Sequence, residues 1–344
     1  MAAVTLKDIA QKLNLSPATV SLALNQRPGV NEQTREEVLS MARELNYSGN
    51  TGGDRPNKRK VQKNLGMIGF LVYKRYGKII TDSEFFTALI SAVEQAARAQ
   101  NYTLLLTYCM SEEKISDTIK LLKYSNLTGL LILGTELFEE DAELFYEMNL
   151  PVVILDCDLL GCKFDTVTIH NEDGIWRGMK YFYESGHREI GYLHSSFSIR
   201  NFERRQRGYE SFLDKFNLNT GEQKIFMVEP TIEGTCADIC ELVRQNIKFP
   251  PALIADNDLI ALGAMRAFTQ CGIKIPDEIS IIGFDDIPLA SLIEPQLTSI
   301  NVPCDALGES AVNQLLWRKN NPEGVPRRIS IGTELNIRSS VKIF

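Results

Sequence analysis

Hydrophobic positions in the first forty-seven residues recur at helical spacing three times. Leu6, Ile9, Ala10 and Leu13 fall at i, i+3, i+4 and i+7 behind Thr5, a residue suited to cap a helix. Ser16 can cap a second helix with Pro17 at its first position, where a missing N–H leaves nothing unsatisfied. Val20, Ala23 and Leu24 supply that helix's inward face, and Val38, Met41, Ala42 and Leu45 form a third stripe after Asn31. The connection Asn14-Leu15-Ser16 is too short to let the first two helices lie side by side. It suits a helix-turn-helix crossing packed on the third helix.

The pattern changes from Met67 onward. Apolar runs at Met67–Tyr73, Tyr102–Cys109, Gly129–Thr135 and Val152–Asp156 read as strands, as does a second series at Glu189–His194, Lys224–Val228, Leu253–Ala255 and Ile279–Phe284. Between them Glu84–Ala99, Gly174–Glu184, Arg205–Lys215 and Leu259–Gln270 read as helices. This alternation predicts parallel sheets covered by helices on both faces. Some 280 residues exceed what one such sheet takes up, so two similar lobes are expected. Open α/β sheets bind ligands beyond the carboxyl ends of their strands, and a cleft between lobes is the default site.

Composition narrows the picture. With 44% hydrophobic and 24% charged residues among 344, the chain is an ordinary globular mix, not collagen-like, disordered or disulfide-stapled. No apolar run approaches the ~18 residues of a membrane span, and the start does not resemble a signal peptide, so no membrane partner and a cytoplasmic location are expected. The seven cysteines are scattered; Cys157 with Cys162, or Cys236 with Cys240, could meet, but all are read as free or buried thiols. GxSxG, HExxH, Walker A and GxGxxG patterns are absent, and His170, His187 and His194 lack metal-ligand spacing. Neither catalysis, a cofactor nor a metal is therefore expected, and an α/β enzyme carrying a DNA-binding domain remains the remote alternative.

The net charge of −7 is unevenly spread. Residues 1–65 hold ten Lys/Arg and six Asp/Glu, a balance of +4, whereas the remaining 279 hold 27 and 38, a balance of −11. A basic arm on an acidic body suits contact with nucleic acid through the arm alone. At ~100° per residue the second helix turns Ala18, Ser21, Leu22 and Asn25 away from its apolar face, together with Pro17, toward base edges if it enters a major groove. Hydroxyls and amides at Thr5, Ser16, Thr19, Asn25, Asn31 and Thr34 sit at or near helix starts, where they suit phosphate.

These residues resemble the headpiece of the LacI/GalR family of bacterial transcription regulators. The family pattern is met by Thr5-Leu6, Asp8-Ile9-Ala10, Ser16, Thr19-Val20-Ser21, Asn25, Thr34-Arg35, Val38 and Asn46-Tyr47. The resemblance implies DNA contacts from Thr5, Leu6, Ser16, Pro17, Ala18, Thr19, Ser21, Leu22, Asn25, Asn31, Thr34 and Tyr47, and a homodimer reading a pseudo-palindromic double-stranded operator. Positions 17, 18 and 22 are where the family usually reads bases, the third commonly with Arg. Here Leu22 offers only apolar contact, for example to a thymine methyl.

Residues 48–65, with three glycines and five Lys/Arg, read as a basic linker. The family's hinge helix usually occupies this stretch. Here either a displaced helix near 57–65 uses Val61 or Leu65 as a minor-groove wedge, or no helix forms and Lys58, Arg59, Lys60 and Lys63 attract phosphate without specificity.

The body resembles the family's effector-binding core, whose fold is that of periplasmic sugar-binding proteins. The resemblance rests on Ile68-Gly69, Phe85-Phe86, Gly186-His187-Arg188, Arg207-Gly208-Tyr209, Asn257-Asp258, Gly283-Phe284-Asp285-Asp286, Leu297-Thr298 and Arg338-Ser339-Ser340. The expected organisation is thus an all-α helix-turn-helix headpiece (1–47), a linker (48–65) and an α/β core of two doubly wound lobes (66–344). Crossings are expected near Asp158–Cys162, Pro288–Pro295 and Asn321–Pro326, giving one lobe of about 66–158 plus 295–322 and another of about 162–290 plus 326–344. The resemblance implies an effector site at Phe85, Phe86, Asp156, Arg205, Asn257 and Asp285, where carboxylates, an amide and a guanidinium can meet sugar hydroxyls and aromatic faces can pack on a ring. Against this, Phe85 or Phe86 could be core, and Asp156, Asn257 and Asp285 could cap following helices. Arg200, Arg204, Arg205 and Arg207 cluster, so a sugar phosphate is an option beside a sugar. YKRYGKIITDSE before Phe85 replaces the family's shorter approach and alters the cleft wall. A regulator of this fold controlled by a protein partner is the alternative. The helix Cys304–Lys319, with Leu307, Ala311, Leu315 and Leu316, would serve either a dimer interface or the core.

Overall fold

The first three helices are α1 (Leu6–Lys12), α2 (Pro17–Leu24) and α3 (Glu32–Glu44). In this computed structural model the described residues are 5–25, 27–45, 47, 66–80, 84–110, 115–218 and 224–344. The linker 48–65, with Val61 and Leu65, lies outside them. The chain divides into two compact units, Met1–Lys63 and Asn64–Phe344.

The capping chemistry of the first unit explains its helix starts. Ser16 Oγ accepts from the Thr19 amide at 3.0 Å, and Asn31 Oδ1 from the Thr34 amide at 2.8 Å. Thr5 and Asp8 bond at the start of α1, the Asp8 carboxylate accepting from the Thr5 amide at 2.6 Å. Asn14 follows α1 with φ of 56°, a left-handed conformation that Asn tolerates, and so turns the chain toward α2. Ile9, Val20, Ala23 and Val38 are wholly buried between the three helices, as the periodicity predicts.

The second unit holds two six-stranded sheets. The first lobe begins with β1 (Gly66–Lys74), α4 (Glu84–Ala99), β2 (Tyr102–Met110), α5 (Ile115–Tyr124), β3 (Gly129–Leu133), α6 (Glu139–Glu143), β4 (Val152–Leu155) and β5 (Asp165–Ile169). The second comprises α7 (Asn171–Glu184), β6 (Ile190–Ser195), α8 (Arg200–Lys215), β7 (Ile225–Val228), α9 (Ile232–Arg244), β8 (Ala252–Ala255), α10 (Asp258–Gln270), β9 (Ser280–Asp285) and β10 (Thr298–Asn301). The chain then returns through α11 (Cys304–Asn320) and β11 (Arg328–Ile331) to the first lobe and ends with β12 (Glu334–Asn336) in the second. The strand orders are β11-β5-β4-β3-β1-β2 and β12-β10-β9-β8-β6-β7. All pairs are parallel except β10 with β12. Alternate residues of the central strands face opposite cores: Phe70, Leu131 and Val153 on one side, Leu71, Leu130 and Ile154 on the other. That two-sided burial is why these strands are continuous apolar runs.

The three crossings all lie later than expected. They fall between β5 and α7, between β10 and α11, and between β11 and β12, so the lobes are 66–169 with 304–331 and 171–301 with 334–344. The expected positions Asp158–Cys162, Pro288–Pro295 and Asn321–Pro326 each precede one further strand of the lobe being left. Those strands, Asp165–Ile169, Thr298–Asn301 and Arg328–Ile331, are short and carry Asp, Thr, Ser, Asn or Arg, so they lack the apolar run that marks a buried strand. In α11, Leu307, Ala311 and Leu315 are buried in the first lobe and Leu316 packs against the same core. The apolar spacing there is core packing; a Cβ on Gly308 would lie 2.7 Å from the Ala92 backbone of α4, so the two helices need a glycine where they approach.

Candidate effector cavity and DNA-reading surface

The residues expected in the cleft lie at the end of a strand, just past one or within the first two turns of a helix. Asp156 follows β4, Asn257 follows β8, Asp285 ends β9, Phe85 and Phe86 open α4, and Arg205 lies in the second turn of α8. The structure brings all six around one tight cavity of about 30 Å³, together with Ile79, Thr135, Ile199, Asn201, Phe202, Leu259 and Ile287. Both phenylalanines line it and both belong to the core, their rings edge to face at 5.0 Å. Asn257 also serves two ends: its Oδ1 accepts from the Ile260 amide at 3.0 Å and caps α10. Asp156 and Asp285 cap no helix. They sit at φ of 61° and 104°, strained values for non-glycine residues that turn the chain outward where a strand reaches the cavity.

Arg205 is 4% exposed and tightly held. Its Nε donates to Asn171 Oδ1 at 2.8 Å and its Nη1 to the Asp256 carbonyl. The guanidinium carbon lies 3.6 Å from the centre of the Phe284 ring, and Nη2 is 3.6 Å from Asp285 Oδ1. Asn171 in turn donates to Asn201 Oδ1 at 3.0 Å, and Asn201 donates to the Asp156 carbonyl and carboxylate at 3.0 and 3.1 Å. Thr135 Oγ1 donates to the other Asp156 oxygen at 2.6 Å. A continuous polar chain therefore runs from Arg205 of the second lobe to Thr135 of the first. Thr135, Asn171 and Asn201 carry no distinct signal in the sequence, because single Thr and Asn residues at strand and helix ends are too common to stand out.

Burial holds both cavity carboxyls above the usual carboxylate range. Burial raises Asp285 to about 7; Arg205 opposes the shift, whereas Asp156 and Asp256 add to it. Burial likewise raises Asp156 to about 6 against the stabilising contacts of Thr135, Arg205 and Asn201. The arginine cluster disperses. Arg200 pairs with Glu139 at 2.5 Å and Glu203 at 2.8 Å, and Arg204 with Asp158 at 2.5 Å, so neither lines the cavity. Of the cluster, only Arg205 does.

In the first unit Thr5, Ser16, Pro17, Ala18, Asn25 and Asn31 are exposed, and Leu6, Thr19, Ser21, Leu22, Thr34 and Tyr47 are half-buried. The side chains of Ser16, Asn25 and Asn31 are bonded within their own helices, Asn25 Nδ2 donating to the Ser21 carbonyl at 2.8 Å. Pro17 and Ala18 form an open surface at the start of α2, and Leu22 lies one turn on along it. Among the described residues no group of three or more His, Cys, Asp or Glu is placed to hold a metal, and no helix is long and apolar enough to cross a membrane. All seven cysteines are free thiols, and the sulfurs of Cys240 and Cys271 lie 3.9 Å apart.

A helix-turn-helix unit ahead of a two-lobed core with a buried polar cavity defines a DNA-binding regulator. The model of the bacterial regulatory proteins of the lacI family matches residues 5–50, and that of the periplasmic binding protein-like domain matches 179–341. The chain is 32% identical to the transcriptional repressor PurR of Haemophilus influenzae and 31% identical to PurR of Vibrio campbellii, over 98% of both chains in each comparison. Its fold matches the regulator CelR in complex with cellobiose, with a TM-score of 0.71 at 24% identity over 98% of this chain and 99% of that one. It also matches the lac repressor dimer bound to operator and an anti-inducer, with a TM-score of 0.71 at 23% identity over 99% and 100%. The chain belongs to the lacI family of bacterial regulatory proteins: it is a DNA-binding transcriptional repressor, not an enzyme.

Proposed function

We propose that this repressor is a homodimer that reads a pseudo-palindromic operator through two copies of α2 and is controlled by an uncharged sugar bound among Phe85, Phe86, Asp156, Arg205, Asn257 and Asp285. The observation that carries the effector class is the charge of the cavity. Two carboxyls and one already-paired arginine line it, so a phosphate would meet Asp156 and Asp285 without a free cation, whereas sugar hydroxyls can donate to both carboxylates. This favours a sugar over a sugar phosphate. To switch DNA binding, the ligand must bind one lobe orientation more tightly than the other.

Thermal-shift screening of the full chain against neutral sugars and sugar phosphates tests the reading. A hit should come from the neutral set, and its affinity should depend on pH with a defined sign. The raised carboxyls ionise as pH climbs through about 6 and 7, and the ionised form accepts from hydroxyls through both oxygens and more strongly than the protonated form, which keeps one oxygen as a donor. Affinity should therefore level off near pH 8, fall by up to about tenfold per unit between 7 and 6 as the first carboxyl protonates, and fall more steeply below 6 as the second follows. Preference for phosphorylated sugars would overturn the charge argument; silence across the panel, with a shift from a protein partner, would replace the sugar reading altogether.

Specificity at the DNA should also depart from an arginine-reading relative. Leu22→Arg is expected to move the half-site base facing position 22 toward guanine by roughly 1–3 kcal/mol, because Arg can bond O6 and N7 together. Selection from random DNA measures it. An unchanged preference would remove Leu22 from the base-facing set.

A further inference from the structure

Glu136 lies just past β3, is completely buried, and takes no part in the cavity. Four backbone N–H groups of one loop converge on its carboxylate. Tyr76 and Gly77 donate to Oε2 at 2.7 and 3.2 Å, and Ile79 and Ile80 donate to Oε1 at 3.1 and 2.9 Å. Gly77, at φ of 64°, lets the loop curl around the carboxylate. Charge-assisted bonds are the strong ones, and here a side chain from beyond another strand replaces the partners that the loop backbone does not find within itself.

The loop so held reaches across the cleft. Ile79 packs with Ile199 and Phe202 at the start of α8, with Phe197 beside them. The Tyr76 and Phe197 rings lie 5.5 Å apart, and Lys78 Nζ is 3.0 Å from Glu229 Oε1 of the second lobe. Ile79, Ile199 and Phe202 also line the cavity, on the same helix turn that carries Asn201 and leads to Arg205.

We propose that Glu136 is a positioning residue: it ties the 75–80 loop to the first lobe so that the loop's apolar tip acts as a lid that docks on α8 and joins the two lobes over the cavity. Calling the covered space a ligand site rests on the effector reading above; the pinned loop and its docking do not. With the lobes closed in this way, the bonds to Glu136 make the loop part of the first lobe's rigid body. Contact of Ile79 with Ile199 and Phe202 then reports the orientation of the lobes directly, and Ile79 presents an apolar wall to whatever fills the cavity.

Hydrogen exchange on the ligand-free full chain, read amide by amide, tests the device. In Glu136→Gln the side-chain amide must face two N–H donors with its own N–H₂, so the nest is lost with almost no change in volume. The amides of Tyr76, Gly77, Ile79 and Ile80 should exchange at least tenfold faster. The first bonded amides of α8, beginning with Glu203, which donates to the Ile199 carbonyl at 3.1 Å, should also accelerate, while β1 and β3 keep their protection. Ile79→Ala removes the tip and leaves the nest; there the loop should stay protected and only the start of α8 should accelerate. A role confined to the local turn would free the loop in Glu136→Gln without changing α8, and that outcome overturns the lid. So does unchanged loop protection, or an acceleration spread evenly through the first lobe. Should Glu136→Gln fail to fold, an unaltered α8 in Ile79→Ala overturns the docking by itself. Failure of every sugar to bind the wild-type chain would remove the effector reading and leave these exchange patterns to decide the role of Glu136.

Discussion

Arg205→Ala is expected to weaken binding of the sugar effector about a hundredfold and to move the pH dependence of whatever binding remains to higher pH. The substitution removes the donor to Asn171, the donor to the Asp256 carbonyl and the cation stacked on Phe284. It also removes the charge that holds Asp285 down against burial and against Asp156 and Asp256. Asp285 must then stay protonated at neutral pH, because an unpaired carboxylate in that position costs more than a neutral acid. Removing a buried charge together with its hydrogen bonds typically costs about 2–5 kcal/mol, which is roughly 30- to several-thousandfold in affinity when the site depends on it. Calorimetric titration at pH 8 and pH 6 with the sugar found for the wild-type chain provides the readout. Arg205→Lys separates charge from shape: an ammonium can restore part of the Asp285 ionisation but cannot supply both bonds and the planar stack. Wild-type affinity in Arg205→Ala would take the residue out of the site, and an unmoved pH profile would show that Arg205 does not set the ionisation of the cavity carboxyls.

A position is legible in the sequence to the extent that its role is constrained locally. Ser16, Asn31 and Asn257 can be read as caps because a capping side chain acts three residues away along the chain. The apolar strands are legible because burial on both faces leaves no room for polar residues, and Phe85, Phe86, Asp156, Arg205, Asn257 and Asp285 meet at one cavity because strand ends and helix starts bring them there. The crossings are misplaced by one strand each, since Asp165–Ile169, Thr298–Asn301 and Arg328–Ile331 are held by pairing and side-chain networks instead of an apolar run. Glu136 gives no signal at all. Its meaning lies in four amides 56 to 60 positions away, which no periodicity connects to it.

Asp165, the first residue of one such strand, is a point where the first lobe is closed. Its carboxylate, 1% exposed, accepts from Gln314 Nε2 at 2.8 Å, from Arg318 Nε at 2.8 Å and Nη2 at 2.6 Å, and from the Arg327 amide at 2.7 Å. Arg318 spends its other donors on the carbonyls of Asn321, Pro322, Gly324 and Val325, so the pair ties α11 and the chain leading into β11 to β5. Asp165→Ala would leave a guanidinium and an amide without their acceptor inside the lobe. A loss of about 3–5 kcal/mol is expected, the usual cost of breaking a buried pair from one side. For a unit of this size that corresponds to a fall of roughly 6–20 °C in Tm, measurable by calorimetry. An asymmetry is expected as well. Replacing both partners, as Asp165→Leu with Arg318→Met, removes the uncompensated charge and should recover much of the loss, because the desolvation cost of the pair disappears with its attraction. If the double variant is no more stable than Asp165→Ala, the ties from Arg318 to the 321–325 carbonyls, and not the ion pair, are what hold β11 in the sheet.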